Sequence, residues 1–312
     1  MLEPATRFYL AAILLLTPAA ALCQTGYSTP GSSTRPAANQ AAVGQVGLPW
    51  AQSAWAKGYN SSTRLLAGAK VSVTGPEAAR GRTLLAGVEI RMSEGWKTYW
   101  RHPGDDGGIP PSFDWTGSLN LKSARVLYPV PERLKSAGGA SIGYTRATVF
   151  PVEIEAADPA LPVVLSLTMD YGICREICVP AEARLQLQIP PLLAAMPPDL
   201  EAALGRVPRV AGASGVGGQP GLEAASAVLS GPSPGLTFEI AAAIGARLDL
   251  FVEAPDGLYL PMTIKTGDAG AGIQRFRIDL KGIEDVAKLA GKTLRLTIAG
   301  PDGGVEARWL VR

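Results

Sequence analysis

Val163, Leu165, Leu167 and Met169 fall on every second position, and so do Leu185, Leu187 and Ile189. Alternation of period two puts one face of an extended strand into a core and leaves the other in solvent, so these runs read as strands. Lys70–Thr74, Leu84–Met92, Leu121–Leu127 and Thr148–Ile154 are further short β-type runs. The chain carries 36 Gly and 26 Pro among 312 residues. Strands this short, punctuated this often by turn formers, predict an antiparallel sandwich rather than a helical bundle. A second series follows at Leu236–Ile240, Arg247–Glu253, Leu258–Ile264, Gln274–Leu280, Thr293–Ala299 and Val305–Val311, with Asp256-Gly257 and Asp302-Gly303 as hairpin turns. Helical patterning is confined to Pro197–Leu204 and to an insert at Ile283–Leu289. The expected fold is all-β: two tandem immunoglobulin-like antiparallel sandwiches after a leader and a flexible arm.

The leader is residues 1–22. Arg7 precedes the apolar run Phe8–Leu16, Thr17-Pro18 breaks it, and Ala19-Ala20-Ala21 offers small residues for cleavage, the layout of a secretory signal peptide. That run is shorter than the roughly 20 apolar residues a spanning helix needs. The expected product is therefore exported, into a compartment that permits disulfides. Cys23 leaves lipid attachment open as an alternative, against which stands the bulky Leu22 before it. Residues 23–64 are rich in Ser, Thr, Gly, Ala, Pro, Asn and Gln and read as a flexible linker. Trp50 and Trp55 inside it are expected to pack over an edge of the folded part. The first sandwich is assigned to 65–192, a short helix and linker to 193–221, and the second sandwich to 222–312.

Two of the three cysteines, Cys174 and Cys178, lie in the connection between the last two strands of the first sandwich, within DYGICREICVPAE. On an extended strand their Cα atoms would be about 13 Å apart, whereas a disulfide tolerates roughly 4.4–6.8 Å, so the pair closes only if residues 175–177 turn. A bridge over so short a loop stabilises a fold by only about 2 kcal/mol in the chain-entropy account. A short, turn-borne, polar-flanked pair suits cycling between dithiol and disulfide. A static disulfide and a metal-binding cysteine pair are the other open readings.

The stretch from Gly95 to Trp115 reads GWKTYWRHPGDDGGIPPSFDW, too aromatic for an ordinary surface loop and too rich in Gly and Pro for a helix. Trp96, Tyr99, Trp100, Phe113 and Trp115 either close the end of the sandwich as a cluster, shield the sulfur pair or receive a partner's side chain. His102, the single histidine, is a base or metal ligand only if something gathers around it, and otherwise a solvated loop residue. Asp105-Asp106-Gly107-Gly108 lacks the alternating oxygen ligands of a calcium loop and reads as a turn. No metal site and no cofactor is predicted. The formal net charge of +2 comes without a basic block or an aromatic-basic stripe, which removes nucleic acid as a partner. The second sandwich holds no Cys and no His, and nothing in it suggests chemistry.

Gly95-Trp96-Lys97-Thr98-Tyr99, Tyr128-Pro129-Val130-Pro131, Gly143-Tyr144 leading into Phe150-Pro151-Val152, and Cys174 with Cys178-Val179-Pro180-Ala181-Glu182 together resemble the periplasmic N-terminal domain family of thiol:disulfide interchange protein DsbD, most closely the variant in suppressor-of-copper-sensitivity protein B. The resemblance implies an immunoglobulin-like sandwich whose cysteine pair passes electrons from a separate membrane-embedded thiol carrier to periplasmic thioredoxin-fold proteins. It implies Cys178 as the sulfur that exchanges with partners and Cys174 as the resolving one, supported by Tyr99, Tyr144, Tyr171, Pro180 and Glu182. It also brings copper tolerance and cytochrome c biogenesis into view as settings, and a protein-disulfide reductase type of activity. Three departures stand out. The family's best-known members place five residues between the cysteines rather than three. Their acidic-aromatic cap loop has no clear counterpart here, where the corresponding stretch Ser136–Ser141 reads SAGGAS. The chain also carries no membrane helices or thioredoxin-like domain of its own, so its electrons are expected from another protein. A copper-binding factor using the same cysteines with Met169 and His102, or a structural sandwich with a static bridge, are the alternatives.

Overall fold

The structure is a computed structural model that describes residues 49–71, 82–136, 139–210, 220–270, 272–301 and 303–312, all within one compact unit. The predicted signal peptide, Cys23 and most of the predicted linker lie outside the described residues. The first part is built from β1 (Ala51–Gln52), β2 (Ala56–Gly58), β3 (Ser61–Val71), β4 (Arg82–Met92), β5 (Lys97–Tyr99), β6 (Ser112–Asp114), β7 (Leu121–Val126), β8 (Glu132–Ser136), β9 (Gly139–Tyr144), β10 (Thr148–Ala156), β11 (Val163–Cys174) and β12 (Cys178–Ile189). They form two six-stranded sheets. One has the order β1-β3-β4-β10-β7 with β2 on β3, the other β12-β11-β5-β9-β8 with β6 on β11.

The alternation read from sequence is what holds these sheets together. Val163, Leu165, Leu167 and Met169 on β11 are all buried, as are Ala183, Leu185, Leu187 and Ile189 on the paired β12. They meet Leu65, Ala67, Val88, Ile90, Phe150 and Val152 from the facing sheet in one core. Full burial of each large side chain is worth about 1.5–3 kcal/mol, so β11 alone contributes several kcal/mol. Both strands run past the predicted ends, up to the cysteines themselves.

The outer face of the β3-β4-β10 sheet is covered by helix α1 (Pro198–Gly205), whose Leu200 and Ala203 pack on Leu66, Leu85 and Val149. Proline at its first position needs no hydrogen-bonded N–H there. Two glycines make the close approach possible. A Cβ at Gly68 would fall 2.7 Å from Pro197 Cδ, and one at Gly87 would fall 2.8 Å from Val149 Cγ1 and 3.0 Å from Leu200 Cδ1.

Residues 51–64 are not linker but belong to the sheet, as β1, β2 and the start of β3 with short connections between them. Ser/Thr-rich composition suggested a flexible arm, yet Arg64 pairs with the buried Glu89 across β3–β4, and Arg64 and Arg91 stack on Trp55 at 4.4 and 4.6 Å. Glu89 lies 25 residues beyond Arg64, and Arg91 lies farther still from Trp55, beyond what local composition can register.

The second part contains β13 (Arg209–Val210), β14 (Gly221–Val228), β15 (Gly235–Ala241), β16 (Asp249–Glu253), β17 (Ile264–Gly270), β18 (Ile273–Asp279), β19 (Thr293–Gly300) and β20 (Gly303–Leu310). They form the four-stranded sheets β13-β20-β19-β16 and β14-β15-β18-β17 around a core of Leu236, Phe238, Ile240, Leu250, Phe276, Ile278, Leu294, Leu296 and Ile298. The predicted strand Leu258–Ile264 is instead loop up to Thr263, with β17 beginning where it was to end. Leu260 and Thr263 are buried by packing rather than by sheet pairing. The predicted helix Ile283–Leu289 shrinks to a 3-10 turn at Val286–Leu289, because Asp285 adopts a left-handed φ of 62° that stops helix growth.

The two parts touch. Phe251 and Ala299 of the second belong to the buried core of the first, and paired charges bind across. Arg101 holds Glu253 through Nε and Nη2 at 2.9 and 2.7 Å, and Arg133 holds Asp249 at the same two distances.

Candidate redox site

Cys174 ends β11 and Cys178 begins β12, directly opposite each other on the last rung of the hairpin. Their Cα atoms are 4.2 Å apart and their sulfurs form a disulfide. That spacing is near the roughly 4.5 Å of a non-hydrogen-bonded antiparallel pair, where side chains approach most closely. The three residues between them make the turn that the sequence spacing demands, with the Arg175 N–H donating to the Ile177 carbonyl at 3.3 Å.

The two halves of the pair differ in exposure. Cys174 is 2% exposed because β5 flanks β11 there, pairing Lys97 with Cys174. Cys178 is exposed, on an edge strand that pairs only with β11. Ile177 beside it is 70% exposed, and Tyr59, also exposed, sets its ring edge-on to Trp96 at 5.4 Å. The Arg175 side chain lies over Gly95.

Tyr99 reaches both sulfurs. Its hydroxyl is 2.8 Å from Cys174 Sγ and 2.7 Å from Cys178 Sγ, on a ring only 2% exposed. Burial, with the nearby Asp106 carboxylate, pushes its pKa above the ordinary tyrosine value, so the phenol keeps its proton and can donate it in a hydrogen bond to sulfur. Two glycines grip the ring. A Cβ at Gly108 would overlap Tyr99 Cε1, Cζ and Cδ1, and one at Gly172 would fall 3.3 Å from Cε2 on the same ring and 2.9 Å from Ile109 Cβ. The Gly172 N–H donates to Ile109 O at 3.0 Å, and Thr98 Oγ1 donates to Gly172 O at 2.9 Å. The segment Gly104–Ile109 therefore lies against the tyrosine that meets the sulfurs.

The remaining residues predicted to support the pair take other positions. Pro180 sits opposite Gly172 on β12, where an edge strand tolerates the missing N–H. Tyr171 turns to Ser61, their hydroxyls 2.8 Å apart. Tyr144 donates from the core to Pro129 O at 2.8 Å. Glu182 pairs with Arg184 at 2.7 Å on the exposed face of β12. Met169 is fully buried in the core, opposite Phe113. His102 lies near Glu253, Asp105 and Arg101, and burial depresses its pKa. Among the described residues no group of three His, Cys, Asp or Glu side chains is arranged to hold a metal ion.

Gly108, Gly172 and Asp106 escaped the sequence reading as site residues. For Gly108 and Asp106 the one signal was the density of glycine and aspartate beside an aromatic run, which marks a turn without saying what it covers, and Gly172, which in sequence suggests exposure beside the cysteines, is buried. In the same region Ala140 of β9 accepts from Asp106 N at 3.2 Å through its carbonyl.

Fold and site together define an immunoglobulin-like β-sandwich protein with a disulfide borne on the tip of an edge hairpin. Residues 64–190 match the family described as thiol:disulfide interchange protein DsbD, N-terminal. The fold is shared with the crystal structure of the N-terminal periplasmic domain of ScsB from Proteus mirabilis, with a TM-score of 0.61 and 21% identity over 83% of this chain and 98% of that one. No curated protein matches the chain. No helix among the described residues is long and apolar enough to cross a membrane.

Proposed function

We propose that the protein exchanges disulfides with other exported proteins through Cys174 and Cys178. It works as a reductant relay between a membrane-embedded thiol carrier and thioredoxin-fold partners in the periplasm. The observation that carries this reading is the asymmetry of the pair: one sulfur-bearing residue exposed, the other buried, and one protonated tyrosine within reach of both.

Written as a cycle, the reduced Cys178 thiolate attacks one sulfur of a partner disulfide, forming a mixed disulfide and releasing the partner's other sulfur as a thiolate. Cys174 then attacks Cys178 Sγ, which restores the intramolecular bond and frees the partner with both sulfurs reduced. Two electrons leave the protein in each cycle, and the membrane carrier returns two by the reverse steps. Tyr99 donates a hydrogen bond to whichever sulfur carries negative charge, a bond stronger to a thiolate than to a neutral sulfur. The location rests on the periplasmic character of the similar domain, the predicted leader and the presence of a disulfide.

The test is electron transfer. Reduced protein mixed with an oxidised thioredoxin-fold protein, then quenched with an alkylating agent, is expected to show loss of two thiols from this chain and gain of two on the partner by mass. No transfer to any of several such partners would remove the reading and leave a structural bridge.

A further inference from the structure

The loop that grips Tyr99 is fastened at its middle to the second sandwich. Trp100, next to Tyr99, is buried with its ring 5.8 Å from that of Phe251. Arg101 stacks on Trp100 at 4.3 Å while it holds Glu253. The carboxylate oxygen Oδ1 of Asp105 accepts two hydrogen bonds from the second sandwich, one from Tyr259 Oη and one from Met262 N, each 2.9 Å. Gly104, at φ +90°, leaves room for the Met262 sulfur, which would lie 3.0 Å from a Cβ there. Immediately after Asp105 the chain turns, Gly107 N donating to Gly104 O at 3.1 Å, and runs onto the Tyr99 ring at Gly108. Tyr99 thus stands at one end of a loop and is covered by the other, with the anchor between them.

We propose that Asp105 is a positioning residue for the disulfide: by tying this loop to Tyr259 and Met262 it fixes the Tyr99 hydroxyl against both sulfurs, so that the second sandwich sets how easily the pair is reduced. The inference rests on the reading that the pair cycles. It gives a task to a domain that carries no chemistry of its own. A ring held between two backbones cannot turn its hydroxyl away, whereas a ring under a free loop can. The hydrogen bond favours the reduced form, in which a sulfur can bear charge, over the disulfide.

The test is redox equilibrium of the full chain with glutathione. Two glutathione thiols become one glutathione disulfide as the Cys174–Cys178 bond is reduced to two thiols, so the balance is complete. Tyr99→Phe is expected to make the disulfide harder to reduce by roughly threefold to tenfold, the factor for one net hydrogen bond. Asp105→Ala is expected to move the equilibrium the same way. Asp105→Asn keeps an oxygen acceptor at Oδ1 and should stay near wild type, which separates positioning from loss of fold. The double variant Tyr99→Phe with Asp105→Ala should match Tyr99→Phe alone, since both act through one hydroxyl. An Asp105→Ala protein with the wild-type equilibrium, or effects of the two substitutions that multiply, would overturn the proposal. A wild-type protein that exchanges nothing with glutathione is a different result: it defeats the relay reading itself, and this inference with it.

Discussion

The backbone of Gly108 lies against the ring of Tyr99 so closely that a Cβ at 108 would occupy the space of three ring carbons. Its φ of +148° is one that residues with side chains rarely adopt. Gly108→Ala should therefore both strain the loop and displace the ring. Overpacking of this kind costs typically about 1–3 kcal/mol. Chemical denaturation should show that loss, and redox equilibrium should show the Tyr99→Phe direction. An alanine variant with wild-type stability would mean the loop does not press on the ring.

Arg133 supports the junction of the two sandwiches from a second point. Its guanidinium donates two bonds to Asp249 and one to Thr263 Oγ1 at 3.1 Å, and it is about a quarter exposed. Screening by water reduces the worth of such a pair, so Arg133→Ala is expected to cost about 1–2 kcal/mol. The more telling signature is cooperativity. Wild type should unfold in one transition, and the variant should broaden or split into two as the sandwiches uncouple.

Tyr259 links that junction to pH. Burial, with the hydrogen bond and charge of Asp105, pushes its pKa from 10.0 up to about 12. A tyrosine with a raised folded-state pKa contributes stability that is complete below its unfolded value and is lost as pH rises through the folded one. The stability difference between wild type and Tyr259→Phe should therefore be constant below pH 10 and disappear as pH approaches about 12. Parallel denaturation curves across that window check it. A difference that persists unchanged at the alkaline end would show that Tyr259 does not donate to Asp105.

His102 gives the opposite sign. Burial holds its pKa below the ordinary 6.5, although Glu253 and Asp105 pull it up and Arg101 pushes it down. The native state therefore prefers neutral histidine, and its contribution is present above the unfolded value and lost as pH falls through the folded one. Wild type should lose stability below about pH 6.5 more steeply than His102→Asn, as read by thermal unfolding from pH 7 to 5.

Much of this was legible in the residues. Alternation at Val163–Met169 and Leu185–Ile189 marked the β11–β12 hairpin because side-chain period and burial share one cause. The Cys174–Cys178 spacing required a turn, and the structure supplies one. The start of the first sandwich was not legible: the strands at 51–64 are held by Glu89 on Arg64 and by Arg91 on Trp55, partners that local composition does not reveal. The cover of Tyr99 was hidden for a related reason. Gly-Asp-Asp-Gly-Gly announces a bend, but only tertiary contact tells that Gly108 and Gly172 close on one ring. Tyr144 and Glu182 came in with the resemblance, and their hydrogen-bond partners lie elsewhere in the fold.

The proposed exchange requires unequal sulfurs, and trapping measures that inequality directly. Cys174→Ser leaves the exposed Cys178 with no resolving partner, so incubation with an oxidised thioredoxin-fold protein should accumulate a mixed disulfide visible on non-reducing gels. Cys178→Ser, which leaves only a sulfur on a residue 2% exposed, should accumulate little. Equal trapping by both variants, or trapping by Cys178→Ser alone, would contradict the assignment of Cys178 as the exchanging cysteine.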